Sequence, residues 1–134
     1  FAGVLLPDAQ ATPGVVAIRD KAKVCGTKWG KDARHVTPAM KTEVCRLYGV
    51  RCILGPKGYE MDHLVSRELG GADDVKNLFP QPWAQAKKKD RLENFLHRRT
   101  CAGKMTLGEA QLEIRDNWIT SYRRWFGEPE QKGP

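Results

Sequence analysis

The sequence predicts a small single α+β domain, with two short strands and a helix at its centre, flanking helices and disulfides. The chain has 134 residues, which is enough for one modest hydrophobic core. Segments with helical and with strand-like patterns alternate between Pro and Gly turn signals. The four cysteines contain no Cys-x-x-Cys pair, so disulfides are favoured over a zinc knuckle.

The composition indicates a globular protein with an excess of basic residues. Hydrophobic residues make up 40% of the chain and charged residues 29%, and no apolar run approaches the ~18 residues of a membrane helix. The formal net charge is +7. This excess suits a polyanionic partner, nucleic acid first and an anionic membrane surface second. We therefore expect a monomer that binds nucleic acid, DNA above all, and is not associated with a membrane.

The first 24 residues are predicted to form an irregular arm, followed by one folded domain at residues 25–127. Pro and Gly residues interrupt the arm, and residues 17–24 favour a short helix or strand. The chain begins at Phe1 without Met, so we expect a processed or trimmed N-terminus that is the end of an export signal or a packed arm. Residues 128–134 are expected to be a disordered tail.

A helix is predicted over residues 38–48. Thr37 can cap it, and Pro38 needs no N–H partner at the first helical position. Gly49 is placed to end the helix, and a turn cluster follows at residues 55–58. One helical face carries the apolar residues Met40, Val44, Leu47 and Tyr48.

Two strands open the predicted core, which spans about residues 59–99. They are expected at residues 59–65 and 75–79, with a Gly-Gly loop between them. Pro80 and Pro82 are expected to end the second strand. A helix then completes the core.

Two helices are predicted in the last third of the chain. The first runs from Trp83 to about Arg99 and combines an apolar side with many basic residues. The second begins at a capping box formed by Thr106 and Glu109 and ends at Gly127.

Asp62, His63 and Asn77 are the candidate catalytic residues. Hydrolysis of a phosphodiester needs a base to activate water, and His63 suits that role near neutral pH. Asn77 could hold the His63 ring through its amide oxygen, or brace the loop through the backbone. The charge developing on the phosphate favours a divalent cation, and Asp62 offers a hard oxygen ligand for one Mg²⁺ or Mn²⁺ ion. Neighbouring residues point to opposite faces of a regular strand. Asp62 and His63 can therefore serve one site only if the strand bends or ends there.

These residues lie in a longer pattern that resembles the HNH, or His-Me finger, endonuclease family. The matching runs are Tyr59-Glu60-Met61-Asp62-His63-Leu64, Glu68-Leu69-Gly70-Gly71, Asn77-Leu78-Phe79-Pro80-Gln81 and Lys89-Asp90-Arg91-Leu92-Glu93-Asn94. Trp29 and the run Thr37-Pro38-Ala39-Met40-Lys41 are also similar to small exported bacterial members. The resemblance implies a ββα-metal core, with His63 as general base, Asp62 as metal ligand and Asn77 as the middle motif residue.

The sequence departs from the family pattern on the helix. The third family residue is usually His or Asn, and this chain has Ala86 at that place. Gln85 is the nearest amide and becomes the candidate second metal ligand. Asp90 and Glu93 are further candidates, although surface or ion-pair roles are the commoner explanation for both. The departure keeps open a nucleic-acid-binding module with a degenerate site that does not cut.

Basic residues near the motif are candidate nucleic-acid contacts. The lysine-rich stretch of the helix is expected to bind the phosphate backbone, although a solvated helix face would have the same composition. Its members are Lys87, Lys88, Lys89 and Arg91. Arg67, in the loop after His63, could clamp the scissile phosphate.

We expect the disulfides Cys45–Cys52 and Cys25–Cys101. The first closes a short loop around Gly49, and the second ties the N-terminal arm to the end of the central helix. Four reduced, buried thiols in a cytosolic protein are the alternative. Two disulfides favour a secreted or periplasmic protein.

The leading interpretation is a metal-dependent endonuclease that hydrolyses phosphodiester bonds of DNA, or of RNA, with low sequence specificity. The sequence has no evident helix-turn-helix or other module that reads bases. The alternatives are the non-catalytic nucleic-acid-binding module and an inert, disulfide-stapled interaction domain.

Overall fold

Four helices and a two-stranded sheet make up the part of the chain described by the structure, residues 6–127 of a computed structural model. They form the small single α+β domain that the sequence predicts. In chain order the elements are α1 Lys21–Gly26, α2 Pro38–Tyr48, β1 Tyr59–His63, β2 Leu78–Pro82, α3 Trp83–Cys101 and α4 Leu107–Phe126. The predicted disordered tail at 128–134 and the first five residues of the arm lie outside the described residues.

The two strands pair antiparallel, and α3 follows β2 directly. His63, at the end of β1, lies opposite Leu78, the first residue of β2. The second strand begins three residues later than predicted, because residues 75–77 form a 3-10 turn. Pro80 does not end the strand, which continues to Pro82, since each strand of a two-stranded sheet has a free edge that needs no N–H donor.

Helix α2 begins and ends where its sequence signals predict. The Thr37 hydroxyl accepts a hydrogen bond from the Met40 N–H, and Gly49 ends the helix in the left-handed conformation with φ of 61°. The helix packs against the sheet through an apolar cluster of Val44, Cys45, Met61 and Leu78. Met61 and His63 are two residues apart on β1, so this packing also sets the side of the strand from which the His63 side chain leaves.

The main hydrophobic core lies between α3 and α4. Leu92 and Leu96 of α3 pack with Ile114 and Trp118 of α4, and Val65 reaches the same cluster from the loop after β1. All five side chains are fully buried, and burial of each is worth about 1.5–3 kcal/mol. The apolar helix faces are thus used inside the domain. Between residues 6 and 127, no helix is both long and apolar enough to cross a membrane.

Helix α4 contains a break that its sequence pattern does not predict. Asn117 has the non-helical angles φ −163° and ψ 96°. Its Oδ1 accepts hydrogen bonds from the N–H groups of Ile119 and Thr120, both at 3.1 Å. Asn117 therefore caps a second helical segment, and α4 consists of two segments joined at this residue.

The described part of the N-terminal arm is irregular before α1, as predicted, and it packs against the loop between the strands. The N–H groups of Ala17 and Ile18 donate to the carbonyl of Gly70 at 2.8 and 3.1 Å. The Thr12 hydroxyl donates to the carbonyl of Leu78 at 2.9 Å. These bonds join the arm to the loop and to the start of β2, so the arm is an integral part of the domain.

Two disulfides have the predicted pairing. Cys25–Cys101 joins α1 to the last residue of α3, and Cys45–Cys52 joins α2 to the segment that follows it. The described residues contain no free cysteine. The alternative of four reduced thiols is therefore not what the structure shows.

We expect the two disulfides to contribute unequally to stability. They close loops with sequence separations of 76 and 7 residues, and the longer loop loses more conformational freedom in the unfolded chain. Replacing both Cys25 and Cys101 by Ser should lower the free energy of unfolding by about 4 kcal/mol, against about 2.5 kcal/mol for the Cys45 and Cys52 pair. Urea denaturation of the two double variants measures the difference, and equal losses would contradict this account.

Candidate active site at the end of strand β1

His63 is held by a carboxylate that the sequence reasoning missed. Its Nε2 lies 2.7 Å from Oδ1 of Asp73, a residue of the loop between the strands. Asp73 also receives the backbone N–H of His35 at 2.9 Å and Nε of Arg67 at 3.2 Å. Burial raises the pKa of the Asp73 carboxyl, but the hydrogen bonds from His35 and His63 outweigh it and hold the pKa below its usual 3.8. Asp73 is therefore ionised and only accepts hydrogen bonds.

The ionised partner fixes the tautomer of the His63 ring. Because Asp73 only accepts, Nε2 carries the ring proton and Nδ1 has the free lone pair. Among residues 6–127, none forms a hydrogen bond with Nδ1. Burial lowers the pKa of His63 below its usual 6.5; the charge of Arg34 adds to this effect and Asp73 opposes it. His63 is thus a neutral imidazole at neutral pH, which is the form that a general base requires.

His63 opens into a cavity of about 230 Å³ between β1, the loop after it, the middle of α3 and the segment after α1. The ring itself is 5% exposed. The side chains that share this cavity with His63 include both positive and acidic groups and one indole. They are Trp29, Arg34, Asp62, Arg67, Glu68 and Glu93.

Arg67 lies in the cavity wall, as its predicted role as a phosphate clamp requires, but most of its donors are already bound. Its Nη2 donates to Asp32 at 2.5 Å and to the carbonyl of Ala33 at 2.7 Å, and its Nε faces Asp73. Its guanidinium also lies 5.6 Å from the centre of the Trp29 ring. Arg67 therefore ties the segment after α1 to the His63–Asp73 pair.

Arg34 is a second cavity residue that the sequence reasoning did not select. Its side chain is exposed, and within the described part of the chain its guanidinium makes no ion pair. Its charge acts on His63, whose pKa it lowers. No local pattern marks Arg34, because it reaches the site only through the fold. For Asp73 the sequence holds a weak signal, since it follows the Gly70-Gly71 turn in the loop between the strands.

Asn77 braces the loop, which is the second of the two roles predicted for it. Its Oδ1 accepts from the N–H groups of Val65 and Val15 at 3.0 and 3.2 Å. Its Nδ2 donates to the carbonyls of Val65 and Ala72 at 3.0 and 2.9 Å. The side chain is fully buried and makes no hydrogen bond to His63 in the described structure. Asn77 thus positions the loop that carries Asp73, rather than the His63 ring.

The Gly-Gly turn of the same loop has a steric cause. A Cβ at Gly71 would lie 1.7 Å from the carbonyl oxygen of Val65. Gly70 has φ of +89°, and its Cβ would lie 2.4 Å from the carbonyl oxygen of Ile18. Both residues must be Gly because other backbone segments fill the space of a side chain.

Asp62 lines the same cavity as His63, at the end of β1, and its carboxylate faces a lysine of α3. The Nζ of Lys89 lies 2.9 Å from Oδ2 of Asp62, 2.7 Å from the carbonyl oxygen of His63 and 3.4 Å from Oε1 of Glu93. Lys89 has no exposed surface. The prediction that Lys89 contacts nucleic acid is therefore wrong. Residue 89 lies three positions after the buried Ala86, on the helix face that packs against the sheet.

The side chains near Asp62 do not fit the expected Mg²⁺ or Mn²⁺ ion. In the described part of the chain, no group of three or more His, Cys, Asp or Glu side chains could hold a metal. The cation facing Asp62 is the Lys89 ammonium. Gln85, the other predicted ligand, accepts from Nζ of Lys88 at 3.5 Å. Burial raises the pKa of Glu93 well above its usual 4.5, with Lys89 opposing this effect and Asp62 adding to it.

The remaining basic residues of α3 differ in how they are held. Lys87 is exposed, and Lys88 is half-buried beside Gln85. Arg91 is exposed but anchored to α4, because its guanidinium lies 4.0 Å from the centre of the Phe126 ring. Phosphate contact by Lys87 and Arg91 remains a prediction.

The Gly71 clash can be tested by substitution. Gly71→Ala should destabilise the protein by about 3 kcal/mol, because the new Cβ meets backbone that has no room to move. Gly26→Ala is the matched control, since a Cβ there meets nothing within 4 Å. Urea denaturation compares the two variants, and equal stabilities would show that the loop is not packed as described.

The half-buried carboxyl of Glu60 predicts a pH effect on stability. Burial raises the pKa of Glu60 to about 7, and the charges of Asp62 and Asp90 add to this. Between pH 4.5, the usual pKa of a Glu carboxyl, and about pH 7, the folded protein binds more protons than the unfolded chain. Glu60 therefore lowers the free energy of unfolding as the pH rises through this range. Glu60→Gln should therefore stabilise the protein at pH 8 and have little effect at pH 4. Urea denaturation at both pH values tests this.

The exposed Glu43 supplies the control for that experiment. Its hydrogen bond from Arg46 lowers the pKa of Glu43, so Glu43→Gln should give no stabilisation at pH 8. A Glu60→Gln variant that behaves like Glu43→Gln would show that Glu60 is not held in its neutral form.

Comparison with known proteins does not assign the chain. No protein-family model, curated protein or solved structure that was compared with it matches. The resemblance to HNH endonucleases therefore rests on the sequence pattern alone. The function must be argued from the geometry of the site.

Proposed function

We propose that this protein is an endonuclease in which His63 is the general base for phosphodiester hydrolysis. The observation that carries the proposal is the His63–Asp73 pair in a cavity shared with Arg34 and Arg67. A neutral His with one ring nitrogen held by a carboxylate and the other free is an arrangement that can activate water. Positive side chains beside it suit a phosphate substrate.

The proposed reaction needs one base and positive charge around the phosphate. Nδ1 of His63 takes a proton from water, and the water oxygen forms a bond to phosphorus. The bond from phosphorus to the leaving sugar oxygen breaks, and that oxygen takes a proton from solvent. Asp73 stabilises the imidazolium that forms, and Arg34 and Arg67 bind the charge on the phosphate. No step is assigned to a divalent ion, because the side chains at Asp62 do not fit one.

The substrate class follows from charge rather than from base contacts. The chain carries a net charge of +7, and Lys87 and Arg34 are exposed on it. Contacts to phosphates raise affinity without reading sequence, so we propose DNA, or RNA, cut with low sequence specificity. The two disulfides support an exported protein, secreted or periplasmic, and we propose that it acts as a monomer.

A second candidate is a nucleic-acid-binding module that does not cut. It is favoured by one observation, the ion pair that neutralises Asp62 through Lys89. This candidate predicts salt-dependent binding to DNA with no cleavage under any condition. Incubation of the wild-type protein with supercoiled plasmid and with single-stranded RNA separates the two functions.

The His63 mechanism can be tested by comparing two histidine variants. His63→Ala should reduce the cleavage rate roughly 100-fold or more, because it removes the base. Asp73→Asn should reduce the rate at least about tenfold, because it removes the charge that orients the base. His35→Ala is the matched control, since His35 reaches Asp73 only through its backbone N–H. Plasmid nicking rates measure activity, and fluorescence anisotropy with labelled DNA measures binding.

The result that supports the mechanism is lost cleavage with retained DNA binding and retained thermal stability in His63→Ala. Full activity in that variant would contradict the role of His63. Equal losses in His63→Ala and His35→Ala would indicate that the loop, rather than the base, has been damaged.

A further inference from the structure

We infer that the ammonium group of Lys89 is the permanent cation of the site at Asp62, so that the protein holds no divalent ion there. This deepens the proposed function, because it makes the proposed nuclease independent of metal. The binding experiment below does not rest on that function.

The coordination of Nζ by oxygen atoms is the first argument. A lysine ammonium has three N–H donors and no acceptor. The Nζ of Lys89 lies within 3.4 Å of three oxygens from three different parts of the chain. They are the backbone carbonyl oxygen of His63, Oδ2 of Asp62 and Oε1 of Glu93. Nζ donates hydrogen bonds to the carbonyl of His63 and to Glu93, and it forms an ion pair with Asp62, so three oxygens surround the ammonium.

Because Lys89 is buried, its ammonium is hard to replace by another cation. Lys89 has no exposed surface, and an isolated ammonium in such surroundings would lose its hydration without compensation. The carboxylate of Asp62, 2.9 Å from Nζ, favours the charged form of the amine. The positive charge thus persists at neutral pH. Moving Lys89 aside would leave an unpaired charge in the interior.

A divalent ion bound to Asp62 would be repelled by the positive charge of the Lys89 ammonium. At the usual Mg²⁺–oxygen distance of ~2.1 Å, an ion on Oδ2 would lie at most about 5 Å from Nζ. Like charges repel strongly at that distance inside a protein. Ala86, one turn before Lys89, has only a methyl group and offers such an ion no ligand. Asp62 and Glu93 line the cavity beside His63, so the field of the ammonium acts in the reaction space although Lys89 itself is enclosed.

The first test uses the wild-type protein and Mn²⁺ as the probe. After removal of trace metal with EDTA, we expect no saturable binding of Mn²⁺ at or below ~1 mM in electron paramagnetic resonance titrations. Binding of one Mn²⁺ per chain that disappears in Asp62→Asn would overturn the inference. This outcome is read without any assay of cleavage, so it is independent of whether the protein is a nuclease.

The second test removes the ammonium. A folded Lys89→Ala variant should bind Mn²⁺ at least about 100-fold more tightly than the wild type, because the repelling charge is gone and Asp62 and Glu93 are freed. The gain should be lost when Asp62→Asn is added. Lys87→Ala, an exposed lysine on the same helix, is the matched control and should not bind Mn²⁺. A folded Lys89→Ala variant that binds no Mn²⁺ would overturn the inference.

Activity gives a third readout. If the wild-type protein cleaves nucleic acid, the rate should be the same with excess EDTA and with added Mg²⁺. A rate that falls to background in EDTA would overturn the inference while leaving His63 as the base. If no cleavage occurs under any condition, the proposed function fails, and the Mn²⁺ titration of the wild type still decides the inference. If Lys89→Ala does not fold, the Mn²⁺ titration of the wild type still tests the inference.

Discussion

The contacts of the buried Lys89 ammonium with β1 and α3 are the interaction on which the geometry of the site depends. It joins β1, through Asp62 and the His63 carbonyl, to α3, which carries both Lys89 and Glu93. Buried ion pairs often add little net stability, because the cost of desolvation offsets the attraction. Their geometry is demanding, however, so they select one packing among several. Here the selected packing brings the end of β1, and with it His63, to the buried face of α3.

A second set of constraints places the partner of His63. The loop between the strands is braced at Asn77, and its turn at Gly71 touches backbone. Asp73 lies between these two points and reaches Nε2 of His63. Arg67 and Asp32 then connect the segment after α1 to the same carboxylate. The orientation of one ring is thus determined by contacts from several segments of the chain, which together keep the site rigid.

The sequence predicted those features that depend on local chemistry. The cap and stop of α2, the start of α4 at Thr106 and the pairing of the cysteines all follow from neighbouring residues or from simple spacing. Periodicity also separated strands from helices, with an error of three residues at β2, where the prolines suggested an end to a strand that in fact tolerates them. The break at Asn117 was hidden because the apolar pattern continues through it.

The candidate site was only partly predictable, because only some of its features depend on local chemistry. His63 and Asn77 stand out in sequence because they lie in the pattern that resembles the HNH family. Asp73 and Arg34 contact or influence His63 only after folding. Lys89 looked like its basic neighbours Lys87 and Lys88, and only the helical face on which it lies distinguishes it. A residue's charge is read directly from the sequence, whereas the direction in which a helix presents that charge depends on tertiary packing.

The hydrogen bond between Val15 and Asn77 has a consequence for folding. The two residues are 62 positions apart, and the contacts of Arg67 with Asp32 and of His35 with Asp73 span 35 and 38 positions. Contacts between distant parts of a chain form late, because closing long loops costs conformational entropy before any interaction repays it. The surroundings of His63 are therefore among the last parts of the domain to assemble. A partly folded chain has no assembled site, so the candidate site and the completed fold form together.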